Sequence, residues 1–242
     1  MKKTFPWKKV FISLLTLVFI AIALVFYAYY RTWNKTDIEF NIKIDEQIVY
    51  RSTYGESPTF AIWIEDPETG LTQTVYATRR AAEGDWEGKA HVPVAVPKWF
   101  EIREQEQALR SERNDQGADW QPVTSPTPTP GYFSTRVRVP PGSTWICWIE
   151  VNLAGDFNET YQEYDAETRT YDEFKRGQPP LIYRAEVTAE EGFRIEPEII
   201  GMSMGDPEKG VSIEPVRGIT TAKDIFEVIY IEVVRPSPRI ID

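Results

Sequence analysis

The sequence predicts a mainly β fold, an antiparallel β-sandwich carried on a single N-terminal transmembrane helix. Three observations lead there. Residues 10–30 form an unbroken apolar run; the remainder is divided into short alternating segments punctuated by turn residues; and only one later stretch has helical composition.

The apolar run holds only Ser13 and Thr16 as hydroxyl interruptions and follows Lys2, Lys3, Lys8 and Lys9. About 20 apolar residues in helical form cross a bilayer core. Residues 10–30 are therefore expected to be a transmembrane signal anchor in the cytoplasmic (inner) membrane. The lysines place residues 1–9 in the cytoplasm and the C-terminal domain outside, periplasmic or extracellular. Ala21-Ile22-Ala23 has the small-x-small form of a signal-peptidase site, which is the competing reading. Leu24-Val25-Phe26-Tyr27 carries the run past that point, and Tyr27, Tyr29, Tyr30 and Trp33 have the character of an interfacial aromatic belt. A retained, single-pass anchor is expected. Residues 31–36 form a short tether whose six residues reach about 20 Å at full stretch, so the domain sits close to the membrane.

Taking 30 residues from 242 leaves 212, long enough to bury a core. Four of the 27 Lys and Arg precede the anchor, so the exported part has 23 positive against 37 negative side chains, a net of −14. That balance argues against nucleic acid and against adhesion to anionic lipid, and reads as solubility. The lone cysteine, Cys147, excludes an internal disulfide and lies far from any lipoprotein attachment site, a habit that fits a bacterial envelope protein. One His (His91) and one Cys do not make a conventional zinc site. No metal and no cofactor are expected. Asn34-Lys35-Thr36 and Asn158-Glu159-Thr160 match a glycosylation acceptor pattern that is common by chance and are read as unmodified.

Residues 37–242 are expected to be one extracytoplasmic domain. In residues 37–44, Ile38, Phe40, Ile42 and Ile44 alternate with Asp37, Glu39, Asn41 and Lys43, the pattern of a half-buried strand. Further strands are expected at 48–54, 59–66, 72–78, 91–96, 132–139, 144–151, 181–188, 195–204 and 224–234. Turn chemistry such as Asp66-Pro67-Glu68-Thr69-Gly70 and Pro140-Pro141-Gly142 separates them. Ten short strands with few helices indicate a sandwich. Residues 98–113 are rich in helix formers, with Trp99, Ile102 and Leu109 able to share a face. The Pro-rich stretch Ser125-Pro126-Thr127-Pro128-Thr129-Pro130-Gly131 favours extended backbone. Together these make residues 97–131 a helical and Pro-rich insertion.

The nearest thing to a repeat is Thr59-Phe60-Ala61-Ile62-Trp63-Ile64-Glu65 against Thr144-Trp145-Ile146-Cys147-Trp148-Ile149-Glu150. In strand geometry Phe60, Ile62 and Ile64 share one face, as do Trp145, Cys147 and Ile149; Trp63 with Glu65, and Trp148 with Glu150, face the other way. Ile229-Tyr230-Ile231-Glu232-Val233 repeats the aromatic-x-Glu arrangement. Trp63, Glu65, Trp148 and Glu150 are the candidate ligand-binding residues, because flat rings beside carboxylates suit glycans or peptides. The alternative is that the insertion covers this face through Trp99 and Trp120.

Gly201-Met202-Ser203-Met204-Gly205 matches the G-x-S-x-G elbow in form only. The helix that the elbow requires is replaced by the turn composition Asp206-Pro207-Glu208-Lys209-Gly210, and the sole histidine lies upstream. The acidic series Asp156, Glu159, Glu163, Asp165, Glu167, Asp172 and Glu173 lacks the EF-hand order and reads as a solvated loop. Arg136 and Arg138 belong to the solvent side of a strand, and Arg79-Arg80 to a strand end. No catalytic residue is assigned.

The strand Pro58-Thr59-Phe60-Ala61-Ile62-Trp63-Ile64-Glu65-Asp66, the Lys98-Trp99 pair, Thr124-Ser125-Pro126-Thr127-Pro128 leading into Pro130-Gly131-Tyr132, and Pro141-Gly142 before Trp148-Ile149-Glu150 together resemble a bacterial family. It is a group of predicted periplasmic proteins known as a domain of unknown function, with a sandwich resembling the immunoglobulin-like module of flagellar hook-capping proteins. The similarity covers residues 37–188 and leaves the last 54 unmatched. It implies an immunoglobulin-like fold and no catalytic residues. Some members are encoded beside flavin-handling envelope proteins, which implies a redox-linked accessory role by association. This chain departs from the family's small-residue form around Ser125 to Thr127 by adding prolines.

The leading functional expectation is a non-catalytic, membrane-anchored accessory module with an envelope protein partner. The alternative is a glycan or other ligand-binding module. A carboxylate-based glycosidase comes third, since it needs two carboxyl groups about 5 to 10 Å apart in a cleft.

Overall fold

A computed structural model describes residues 7–83, 95–112, 123–125, 131–172, 176–206 and 210–236. Lys2, Lys3, His91 and Trp120, together with most of the Pro-rich stretch, lie outside the described residues. The apolar run is one helix, α1 (Trp7–Thr32). Its segment Phe11–Tyr30 has a mean hydropathy of 2.7 and is long and apolar enough to cross a membrane once. Three residues, Trp33, Asn34 and Lys35, separate it from β1 (Thr36–Ile44).

In β1 the alternation holds, with Ile38, Phe40, Ile42 and Ile44 buried. Asp37 departs from it. Although it belongs to the opposite face it is 1% exposed; Arg138 Nε donates to its Oδ1 at 3.0 Å, and Arg136 Nη1 stands 3.8 Å from Oδ2 as an ion-pair partner. The two arginines on the strand's outer side thus neutralise a buried carboxylate.

The strand expected at 48–54 is instead a helix, α2 (Glu46–Arg51). The Asp45 carboxylate accepts from the Gln47 and Ile48 N–H groups at 2.7 and 3.2 Å, which caps the first turn. Ile48 and Val49 are then buried side by side, a short apolar pair that fits either period. β2 (Thr59–Glu65) and β3 (Thr72–Thr78) follow, joined by a turn in which Asp66 accepts from Glu68 N–H and Thr69 Oγ1 while Gly70 takes φ +67°.

After α3 (Arg79–Glu83), residues 91–94 of the strand expected at 91–96 lie outside the described residues. Residues 95–96 are a bend that leads into α4 (Pro97–Glu112), the expected helix. β4 (Val123–Ser125) pairs parallel with β3. Next come β5 (Tyr132–Val139), β6 (Thr144–Asn152) and a small hairpin within the acidic series, β7 (Tyr164–Asp165) and β8 (Thr170–Tyr171). The chain ends with β9 (Leu181–Thr188), β10 (Arg194–Ile195), β11 (Glu198–Asp206), β12 (Gly210–Glu214) and β13 (Phe226–Val234). The single strand expected at 195–204 is split at Glu196-Pro197, where proline has no N–H for a ladder, and its two parts join different sheets.

The fold is mixed but dominated by antiparallel sheet. One sheet has four strands in the order β10-β13-β1-β5; the other has seven, β12-β11-β9-β6-β2-β3-β4. Side chains of both meet in one hydrophobic cluster: Ile38, Phe40, Ile231 and Val233 from the first, Phe60, Ile62, Ile64 and Ile149 from the second. Phe60 packs edge-on against Phe133 and Phe226 of the four-stranded sheet, at 5.5 and 6.1 Å between ring centres. Trp145 and Ile229 are partly buried against it. Cys147 is fully buried there, and burial raises its thiol pKa so that it stays neutral.

Truncating Ile62 or Ile149 to Ala leaves a hole in this cluster and should cost about 2–5 kcal/mol, read as a fall in urea midpoint with little change in slope.

Candidate functional site

The side chains of the seven-stranded sheet that point away from the shared core form a second face. β2 contributes Ala61, Trp63 and Glu65; β6 contributes Trp148 and Glu150; β9 contributes Ile182 and Arg184; β11 contributes Ser203. All four candidate ligand residues are therefore on one surface. Trp63 lies directly opposite Trp148, and Trp148 opposite Arg184. The indoles stack at 6.0 Å with 8° between planes, and the Arg184 guanidinium stands 5.6 Å from the Trp148 ring. Register thus flanks the Trp148 ring on both sides, one by an indole and one by a cation. Trp148 Nε1 donates to Glu65 Oε2 at 2.9 Å. Tyr230 and Glu232, the third copy of the motif, belong to β13 in the other sheet, where Arg194 lies 3.6 Å over Tyr230.

α4 lies across this face. Trp99, Ile102 and Glu106, spaced as one side of a helix, are buried with Val96, Ala61, Trp63, Ala77 and Ile182. Leu109, expected on the same side, is 40% exposed; Glu106 takes the inward position because Thr74 offers it a partner. Thr74 Oγ1 donates to Glu106 Oε2 at 3.0 Å and accepts from Trp99 Nε1 at 3.1 Å. Arg103 ties α4 to α3 by donating to the Ala82 carbonyl at 2.5 Å. Trp99 of the insertion thus covers much of the aromatic face: Trp63 is 2% exposed, while Trp148 and Glu65 remain half-buried.

Glu150 has no exposed surface. Its carboxyl accepts from Lys98 N–H at 3.1 Å, from Trp99 N–H at 2.7 Å, and from the Ser203 hydroxyl. Those two amides are orphan donors of the first turn of α4. Pro97 has no N–H to satisfy, and Phe100 N–H reaches Val96 O at 3.1 Å. A carboxyl on a strand 51 residues away therefore caps a helix whose own start, Val96-Pro97, has no capping side chain. Burial pushes the Glu150 pKa up to about 7, against the opposing pull of the three hydrogen bonds and of the Lys98 charge.

Ser203, the nominal nucleophile of the G-x-S-x-G pattern, sits in mid-strand and is fully buried against Glu150. Among the described residues no group of three or more His, Cys, Asp or Glu is arranged to hold a metal ion. The participants that sequence reasoning passed over are Thr74, Glu106 and Arg184, none of which carried a signal; Ser203 was weighed only as a nucleophile, and its part here is to donate to Glu150.

Comparison with known proteins returns no matching family model, curated relative or solved structure.

Two outcomes follow from this geometry. Replacing Trp63 or Trp99 by Ala should destabilise the domain by about 3–5 kcal/mol in thermal or urea unfolding. Glu150 binds its proton more tightly folded than unfolded, so between about pH 4.5 and 7 the folded form holds the extra proton and stability falls as pH rises. Wild type should gain stability on acidification from pH 8 to pH 5 relative to Glu150→Gln, by on the order of 2–3 kcal/mol in paired urea titrations.

Proposed function

We propose that this is a non-catalytic module, held on the outer side of a cytoplasmic membrane by α1, that engages an envelope protein partner. The observation that carries this reading is the use made of the aromatic and carboxylate face. Trp63, Glu150 and Ser203, the residues with the most chemical character, are spent on holding α4 to the sheet. Glu150 is sealed from solvent beneath a helix, which suits capping and not proton exchange with a substrate. α1 supports membrane attachment, and the three residues between it and β1 keep the domain close to the bilayer.

β1 is about 30 Å long, and at its end farther along the chain from α1 Tyr132, paired with Lys43, is strongly exposed, as are Tyr50 and Tyr171. Exposed tyrosines are favourable contact residues for a protein partner, so we assign the partner to this distal end. An immunoglobulin-like sandwich, as in the periplasmic family that the sequence resembles, fits two mainly antiparallel sheets sharing one core.

The ligand-binding reading has one observation in its favour: Trp148, Glu65 and Arg184 stay half-buried beside α4, within reach of a small polar ligand such as a glycan. Two experiments separate the readings. A C-terminal alkaline phosphatase fusion should be active only if the domain is exported; an inactive fusion would end the topological part. A photo-crosslinking residue at Tyr132 or Tyr171 should join the protein to one defined membrane or envelope protein in intact cells. Absence of any adduct there, with glycan binding abolished by Trp148→Ala, would favour the ligand module.

A further inference from the structure

A cavity of about 380 Å³ lies at the end of the domain from which α1 departs, within the usual size range of small-ligand pockets. It is lined by the buried Thr36 and Ala189 and by the exposed side chains of Lys35, Glu190, Glu191 and Arg235. Three sheet registers bring these residues together. Thr36 pairs with Val139, which sets the turn after β5 beside the tether. Asp37 pairs with Val234, which places Arg235 near Thr36, and Thr144 pairs with Thr188, which aligns the start of β6 with the end of β9. The turns are then tied to one another and to β13: Gly142 N–H donates to Ala189 O at 2.9 Å, Ala189 N–H to Ser143 O at 2.8 Å, and Gly192 N–H to Val233 O at 2.9 Å. The walls of the cavity are therefore held by the fold itself.

The way α1 stops keeps this end at the bilayer. Its apolar segment finishes at Tyr30. Trp33 N–H returns to Tyr30 O at 3.2 Å, and Asn34 takes φ +53°, a left-handed residue that turns the chain out of the helix. Lys35 lies three residues past Thr32, a reach of at most about 10 Å. Each polar layer of a bilayer is about 5–8 Å deep. Lys35 and the cavity beside it are thus within reach of lipid headgroups.

The charges decide which headgroup. Two cations, Lys35 and Arg235, share the cavity with two carboxylates, Glu190 and Glu191, so the lining side chains sum to no net charge. Glu191 Oε2 stands 3.5 Å from Arg235 Nε, which sets opposite charges side by side, as ammonium and phosphate stand in a phosphoethanolamine group. Laid head to tail against that pair, a zwitterion exchanges one exposed ion pair, worth little in water, for two. Guanidinium and ammonium groups donate well to phosphate oxygens. A primary ammonium brings three N–H donors to the glutamates, whereas a quaternary one brings none and is met by aromatic rings instead.

We propose that this cavity is a lipid-headgroup site for phosphatidylethanolamine of the bilayer in which α1 sits, with Lys35 and Arg235 on the phosphate and Glu190 and Glu191 on the ammonium. A headgroup held there gives the domain a second attachment beside the tether and limits its rotation on the membrane surface. The inference rests on α1 lying in a bilayer and not on which side the domain stands. An inactive phosphatase fusion would leave it in place, and its own failure would leave the topology and the distal partner site in place.

The full chain in nanodiscs of equimolar phosphatidylethanolamine, phosphatidylcholine and phosphatidylglycerol tests it, by native mass spectrometry of the lipid that stays on the released protein. Wild type is expected to retain one phosphatidylethanolamine, enriched on the order of 5-fold over either competitor. Glu190→Gln with Glu191→Gln should bring phosphatidylethanolamine down to the level of phosphatidylcholine; Lys35→Gln with Arg235→Gln should remove the retained lipid. Glu227→Gln, an exposed carboxylate at the other end of β13, should leave the enrichment unchanged. All these side chains are exposed, so each variant should unfold at the wild-type temperature. Retained lipid that mirrors the bulk mixture, enrichment that survives both double substitutions, or displacement of the lipid by excess inorganic phosphate, which would mark a plain anion site, overturns the proposal. Failure of the chain to enter nanodiscs would overturn the anchor and this site together.

Discussion

The constraint on which the rest of this structure depends is that β2, an interior strand of the larger sheet, is buried on both faces. From Thr59 to Ile64 every residue of β2 is buried. A strand of that kind has no solvent side, so something must lie against each surface. The four-stranded sheet meets the Phe60, Ile62 and Ile64 side, and the α3–α4 pair meets the Ala61 and Trp63 side. The two coverings differ in kind. The first is almost wholly apolar and interlocks aromatic rings; the second is apolar around a polar pin, in which Glu150, Thr74 and Ser203 satisfy groups on or beneath the helix.

That polar pin trades strength for selectivity of placement. A purely apolar contact would let α4 slide along the sheet, because hydrophobic burial is non-directional. Two amide donors meeting one carboxyl fix where the first turn begins, and the Trp99–Thr74–Glu106 chain fixes its rotation. The cost is a buried ionisable group, and its raised pKa is the measure of that cost. A second polar knot works in the same way elsewhere: Asp156, Gln178 and Thr221 bind the loop after β6 to the segment before β13. Both knots lie where sequence-distant segments must be held together without a disulfide.

Much of this was legible in the chain. The alternation in β1, the matched pair of strands β2 and β6, and the helical composition of α4 each come from local periodicity, which sequence displays directly. The opposition of Trp63 and Trp148 was also readable, because two segments with the same alternation and similar turn endings pair naturally. α2 was not: Ile48-Val49 is too short to declare a period, and the decision rests with the Asp45 cap. β10 and β11 read as one strand in the sequence because an apolar pattern continues past Pro197, whose missing N–H is what divides them. The core of the candidate site was the least legible part. Glu150 looked like a surface carboxylate beside a tryptophan, and its burial depends on which helix crosses the sheet. One clue was present: a helix that opens with Val96-Pro97, and so without a side chain to receive its first amides, has to find an acceptor somewhere else.

The position of β1 has a mechanical consequence. It is the strand joined to α1, yet it is an interior strand, paired along its length with β13 on one side and β5 on the other. Tension arriving from the membrane through Trp33 to Lys35 runs along the strand axis, so two rows of backbone hydrogen bonds resist it in shear together. An edge strand would peel open one bond at a time. The chain thus enters its domain through a strand held on both sides, and the force needed to detach the anchor from the fold is set by both ladders at once.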